Sequence, residues 1–167
     1  MNIKSYLDST YLKTAEQANV SENENNALIQ NFVQETIDEK FKLVMIRPDK
    51  VALAKKLIDS QDSKVLTGTV IGFPEGTNTI EEKVLEAKQA IKDGADELDF
   101  VVNFEAFKLG DIDLVKKEVL QGKKAAWEAF VSPLKAEQIE ALTLLNEVAD
   151  ASANKAFIAP LIADLKG

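Results

Sequence analysis

At 167 residues, 46% of them hydrophobic, the chain is long enough for one domain with a substantial core, residues 1–167, and too short for two sizeable ones. Twenty basic against 28 acidic residues leave a net charge of −8, and the lysines are scattered singly or in pairs, which excludes the electrostatic footprint of a nucleic-acid binder. Cysteine and histidine are absent, which removes disulfides, thiolate chemistry and the commonest general base and metal ligand, so metal binding would need carboxylates alone; neither a metal nor a cofactor is expected.

Taken in chain order, Ser5-Tyr-Leu-Asp-Ser-Thr10 reads as a short opening strand. Ser21 and Glu24 have capping-box spacing, and Ala27, Leu28, Phe32, Val33 and Ile37 then recur at helical intervals up to the polar Asp38-Glu-Lys40. Phe41 to Ile46 is an apolar strand stopped by Arg47-Pro48, with the proline placed to open a helix through Leu53 and Leu57. Lys64 to Phe73, rich in β-branched residues, predicts the third strand. Thr79 and Glu82 then cap a helix with Ile80, Val84, Ala87 and Ile91 on one face, ended by Gly94. Leu98 to Val102 is the fourth strand, and Gly110 and Gly122 punctuate the unit that it opens.

Strands alternating with helices at about 30-residue intervals imply right-handed crossovers and a parallel sheet. An eight-unit barrel takes about 250 residues, so the expected fold is α/β, with four parallel βα units forming half of such a barrel, either curved or opened into a twisted sheet. Past Gly122 the alternation stops. Lys123 to Val131, with Trp127 and Phe130, reads as helix. Ser132-Pro133 opens another with Ile139, Leu142, Leu145 and Ala149 on one face, and Asn154 to Gly167 a third, either kinked by Pro160 or starting late because of it. Residues 1–121 are thus the half-barrel and 122–167 a helical covering segment of the same domain. The opening Met1-Asn-Ile-Lys-Ser-Tyr6 lacks the apolar core of a secretory signal, and no run approaches the ~18 apolar residues of a membrane span; a cytoplasmic protein without membrane contact is expected.

Leu7-Asp-Ser-Thr-Tyr-Leu-Lys13, Val70-Ile-Gly-Phe-Pro-Glu-Gly76 and Gly94-Ala-Asp-Glu-Leu-Asp-Phe-Val-Val-Asn103 occur in order and at matching spacing, and together they resemble the first half of the 2-deoxyribose-5-phosphate aldolases over roughly residues 3 to 120. The resemblance implies a barrel in which a strand lysine forms a Schiff base with acetaldehyde, which then adds to glyceraldehyde 3-phosphate, without a metal. It implies that Asp99 matches the aspartate that takes part in proton transfer, that Asp8 and Thr10 match pocket-lining residues of the first strand, and that Met45 and Arg47 stand at the end of the second. Strand carboxyl ends are where barrel active sites are built. The family's Val-Lys-Thr-Ser-Thr-Gly and Lys-x-Ala-Gly-Gly segments, which carry the Schiff-base lysine and its partner, do not occur in this chain. The phosphate-binding turns of the later strands are absent as well. The expectation is an engineered or rearranged half-barrel with little or no aldolase activity. Two alternatives stand beside it: residual activity, including activity assembled in a homodimer, and a module that binds a small sugar phosphate.

Individual residues carry further expectations. Asp99 lies between Leu98 and Phe100, a costly place for a carboxylate unless it is paired, and Lys13 or Arg47 is the expected partner. Arg47 is the only arginine, which suits a bidentate role toward a carboxylate of the protein or toward a ligand. Gly72 and Gly76 suit a turn that requires positive φ more than an anion cradle. Lys13, in a loop with nothing apolar to lower its pKa, is a poor substitute nucleophile. Trp127, Phe130, Leu134, Phe157, Ile158 and Leu161 are expected to cover apolar surface left open by the half-barrel.

Overall fold

The structure, a computed structural model, describes residues 3–131. Four parallel strands, β1 (Asp8–Tyr11), β2 (Leu43–Ile46), β3 (Leu66–Ile71) and β4 (Glu97–Phe100), form one sheet in the order β1-β2-β3-β4. Between them run α1 (Ala15–Ala18), α2 (Glu22–Asp38), α3 (Val51–Ser60) and α4 (Ile80–Lys92); α5 (Phe104–Lys108) and α6 (Ile112–Val131) come after β4. Residues 1–122 form one compact unit, which holds the sheet and the candidate sites. The second unit begins at Lys123, and within it Lys124 pairs with Glu128 one helical turn on, at 3.8 Å. No helix among the described residues is long and apolar enough to cross a membrane.

The helices start where the capping boxes put them. The Ser21 side chain accepts from the Glu24 N–H while the Glu24 carboxylate accepts from Ser21, and Thr79 and Glu82 repeat the arrangement at α4. A third box, Thr14 with Gln17, opens the single-turn α1, which carries too little periodicity to be read from sequence. Side chains alternate across each strand, so one set faces the helices. Val44, Ile46 and Ile71 join Ile29 and Val33 of α2, Val51, Ala54 and Ile58 of α3, and Ala87 and Ala90 of α4 in the main core. Leu43, Met45 and Val70 point to the other face and form a second small cluster with Leu12. Gly68 sits beneath them: a Cβ there would lie 2.7 Å from Leu43 Cδ2 and 2.9 Å from Met45 Cε.

Several expected boundaries move. The opening strand spans Asp8–Tyr11, because Ile3–Tyr6 forms a 3-10 turn instead of extending. The other three strands are shorter than their apolar runs by one to four residues, since ladder pairing stops where the chain turns away from its neighbour. Gly110, at φ 84°, does end α5, whereas Gly122 does not interrupt anything and lies inside α6. It is there for space: a Cβ at Gly122 would meet the Phe100 ring at 2.7 Å. Helix over Lys123–Val131 is present as the last part of α6. The Trp127 and Phe130 side chains, the helices expected beyond Ser132, and the covering contacts of Leu134, Phe157, Ile158 and Leu161 lie outside the described part of the chain.

Candidate functional site

The register fixes which of the expected site residues share a surface. Tyr11, Leu98 and Phe100 pack at the margin of the helix-side core, so Thr10 and Asp99, one position away in their strands, face the opposite side, and Asp8 does likewise. Thr10 pairs with Met45, Met45 with Gly68, and Gly68 with Glu97, forming one row across that face. Asp8 lies in the row toward the amino ends, opposite Leu43; Asp99 lies in the row toward the carboxyl ends, opposite Val70. Asp8, Thr10 and Asp99 therefore share the face of the sheet turned away from the helices. β1 and β4 are three strand spacings apart, about 14 Å at ~4.8 Å each, so in a four-stranded sheet Thr10 and Asp99 do not grip one small molecule directly.

Asp99 is exposed, on a cleft of about 540 Å³ lined also by Val70, Leu98, Phe100, Val102 and Phe104. It forms no ion pair with Lys13 or Arg47, contrary to expectation: the carboxylate is exposed among the described residues, so a partner is not required. Arg47 stands elsewhere. It precedes the 3-10 turn Pro48–Lys50, its guanidinium lies 5.8 Å from the centre of the Phe73 ring, and it lines a separate cleft of about 280 Å³ with Lys13, Asn25 and Lys50. No salt bridge holds it among the described residues, so the expected bond to a carboxylate of the protein is replaced by cation–π contact.

None of the four strands carries a lysine. Lys83, 2% exposed, is the only lysine among the described residues in the buried class, and sequence reading misses it because it lies on α4 among charged neighbours. Its ammonium donates to Gly76 O at 2.6 Å and to Glu118 Oε1 at 2.7 Å, while Glu118 Oε2 accepts from the Asn103 N–H at 2.8 Å. This chain of bonds ties the β3–α4 turn, the end of β4 and α6 together. The only sequence signal is indirect: Lys83 falls one helical turn before Ala87, on the same face. Gly72 and Gly76, at φ 72° and 68°, take the left-handed conformation expected of that turn. A Cβ at Gly76 would lie 2.1 Å from Val102 O, so the close approach needs glycine for both space and conformation.

A nucleophilic amine at neutral pH needs a lowered pKa. At Lys50, burial acts downward, but hydrogen bonds to Glu22 and Asp49 outweigh it and the net shift is upward, which protects the ammonium.

These features match known proteins. Residues 10–129 match the DeoC/LacD family of aldolases. The chain is 41% identical over 126 residues to the deoxyribose-phosphate aldolase of Exiguobacterium sibiricum, covering 75% of this chain and 53% of that one. It is 43% identical over 125 residues to that of a Thermoanaerobacter species, covering 75% and 52%. A solved deoxyribose phosphate aldolase from Aeropyrum pernix superposes with a TM-score of 0.60 at 26% identity, over 89% of this chain and 61% of that one. The chain spans about half the length of the curated relatives it matches, and the four βα units correspond to their N-terminal half. With the motifs, the sheet order and these likenesses in agreement, the chain belongs to the DeoC/LacD aldolase family.

Proposed function

We propose that this polypeptide is an aldolase-derived half-barrel, engineered or rearranged past its fourth strand, that catalyses little or no aldol cleavage by itself. One observation carries the reading: the face that holds Asp8, Thr10 and Asp99 has no lysine on any of its four described strands, and the one buried lysine among the described residues, Lys83, is committed to Glu118 and Gly76 O. Schiff-base chemistry requires an amine that loses its proton near neutral pH, and a fully solvated lysine near ~10.4 does not. Asp99 keeps the position of a proton-transfer residue without a nucleophile to serve. The loss of strand alternation past Gly122, together with a family match that stops at residue 129, supports a rearranged origin.

A coupled assay that detects acetaldehyde or glyceraldehyde 3-phosphate released from 2-deoxyribose 5-phosphate tests the reading. Turnover indistinguishable from buffer is expected. Turnover that falls when Asp99 is changed to Asn overturns it. A second reading, activity assembled in a homodimer, is favoured by the single-sided pairing of β1 and β4 among the described strands. Two copies, however, bring together no additional lysine motif, so a dimer seen by sedimentation is expected to be as silent as a monomer.

A further inference from the structure

The cleft at the carboxyl ends of β1 and β2 is built differently from the Asp99 face. Lys13 comes after β1, Arg47 after β2, and Asn25 rises from the first turn of α2; all three line one hollow of about 280 Å³. Three cations and two carboxylates border it, but Glu22 and Asp49 both pair with Lys50, leaving Lys13 and Arg47 without an ion-pair partner among the described residues. In a chain of net charge −8 this is a local excess of positive charge.

Asn25 supplies the second, independent observation. It is 1% exposed, its Oδ1 accepts from the Tyr11 hydroxyl at 2.9 Å, and its Nδ2 has no hydrogen-bond partner. A buried amide donor left empty is costly, because it gives up its bond to water without a replacement, so such groups are ordinarily satisfied. The bond from Tyr11 accounts for the amide oxygen but not for the amide nitrogen. A ligand oxygen in the cleft would satisfy it.

We propose that this cleft binds the phosphate end of a small phosphomonoester. The donors decide the class. A guanidinium, which presents two parallel N–H groups, an ammonium and an amide N–H outnumber the two oxygens of a carboxylate and suit the three terminal oxygens of a phosphate monoester. The cleft is also larger than a bare ion needs. It shares no residue with the Asp99 cleft, so binding here stands or falls apart from the question of aldol chemistry.

The test is a titration of the uniformly 15N-labelled full chain with inorganic phosphate, glycerol 3-phosphate and acetate, at ionic strength held constant with chloride and monitored by amide NMR. Saturable shifts of the Asn25 side-chain NH₂ pair and of the Lys13 and Arg47 backbone amides are expected with both phosphates, and acetate should bind at least about threefold more weakly. Lys13→Ala and Arg47→Ala are each expected to weaken phosphate binding by about tenfold, the effect of losing one charge-assisted hydrogen bond, while Lys64→Ala, before β3 at the amino ends of the strands, leaves it unchanged. Shifts that grow linearly and match those in chloride, an unmoved Asn25 side chain, acetate binding as tightly as phosphate, or unaltered binding in the two cleft variants would each overturn the proposal. The Asn25 resonances are read in the unmodified chain, so the result does not depend on a variant folding.

Discussion

Removal of one partner from the Lys83–Glu118 pair should have the largest single effect on stability. Both side chains are nearly fully buried, at 2% and 3% exposure, and they are held by hydrogen bonds from Lys83 to Glu118 and Gly76 O and from the Asn103 N–H to Glu118. In Lys83→Met the Glu118 carboxylate stays in a dry position with one hydrogen bond remaining, and Gly76 O loses its donor. Breaking a buried pair in this way costs about 3–5 kcal/mol, about a fifth or more of a net stability near 5–15 kcal/mol. The double variant Lys83→Met/Glu118→Leu removes the stranded charge and leaves only Gly76 O and the Asn103 N–H unsatisfied, at about 1–3 kcal/mol each. The double variant should therefore be less destabilised than the sum of its singles, with a coupling of about 2 kcal/mol or more. Urea denaturation monitored by far-UV circular dichroism measures all four proteins. A loss below about 1 kcal/mol in Lys83→Met, or singles that add to the double within about 0.5 kcal/mol, would refute the clamp.

Local geometry sets two further outcomes. Gly76→Ala forces a β-carbon into the left-handed conformation and onto Val102 O, so a loss of at least about 2 kcal/mol is expected in the same denaturation assay, and a melting temperature equal to that of the parent would contradict the close approach. The capping boxes predict an acid response. Hydrogen bonds from the Ser21 hydroxyl and N–H hold Glu24 below its ordinary value of 4.5, and the Thr79 N–H and hydroxyl do the same for Glu82. The stability these carboxylates contribute is complete above 4.5, the unfolded value, and is lost as pH falls through the lowered folded values. In thermal melts from about pH 6 down to about pH 3, Glu24→Gln/Glu82→Gln should flatten that decline; an unchanged acid limb would show that the caps do not titrate.

The strands and long helices are legible in the sequence because their signals are local. Capping pairs at Ser21 and Thr79, apolar runs at Phe41–Ile46 and Lys64–Phe73, and the glycine turn after β3 each need only neighbouring residues to be understood. Gly122 shows the opposite case: its role is to clear the Phe100 ring, a contact 22 positions away that no local pattern contains, so by itself it reads as a break. The candidate site is legible in part. The motifs that place Asp8, Thr10 and Asp99 also fix the strand alternation that puts them on one face. Charge alone ties Arg47 to Asp99, and the register with its two separate clefts keeps them apart. Lys83 escapes notice because a lysine flanked in sequence by charged residues reads as solvated, and only the packing of α6 against the β3–α4 turn makes it a buried ion.

The proposal that no amine of this chain forms an imine beside Asp99 is tested most directly by incubating the chain with acetaldehyde and borohydride and determining the intact mass. Reduction of a Schiff base would leave the protein heavier by one ethyl group at a single lysine. No adduct is expected beyond what the unfolded chain shows under the same treatment. A stoichiometric adduct on one lysine of the folded chain, lost in Asp99→Asn, would contradict it and identify the nucleophile.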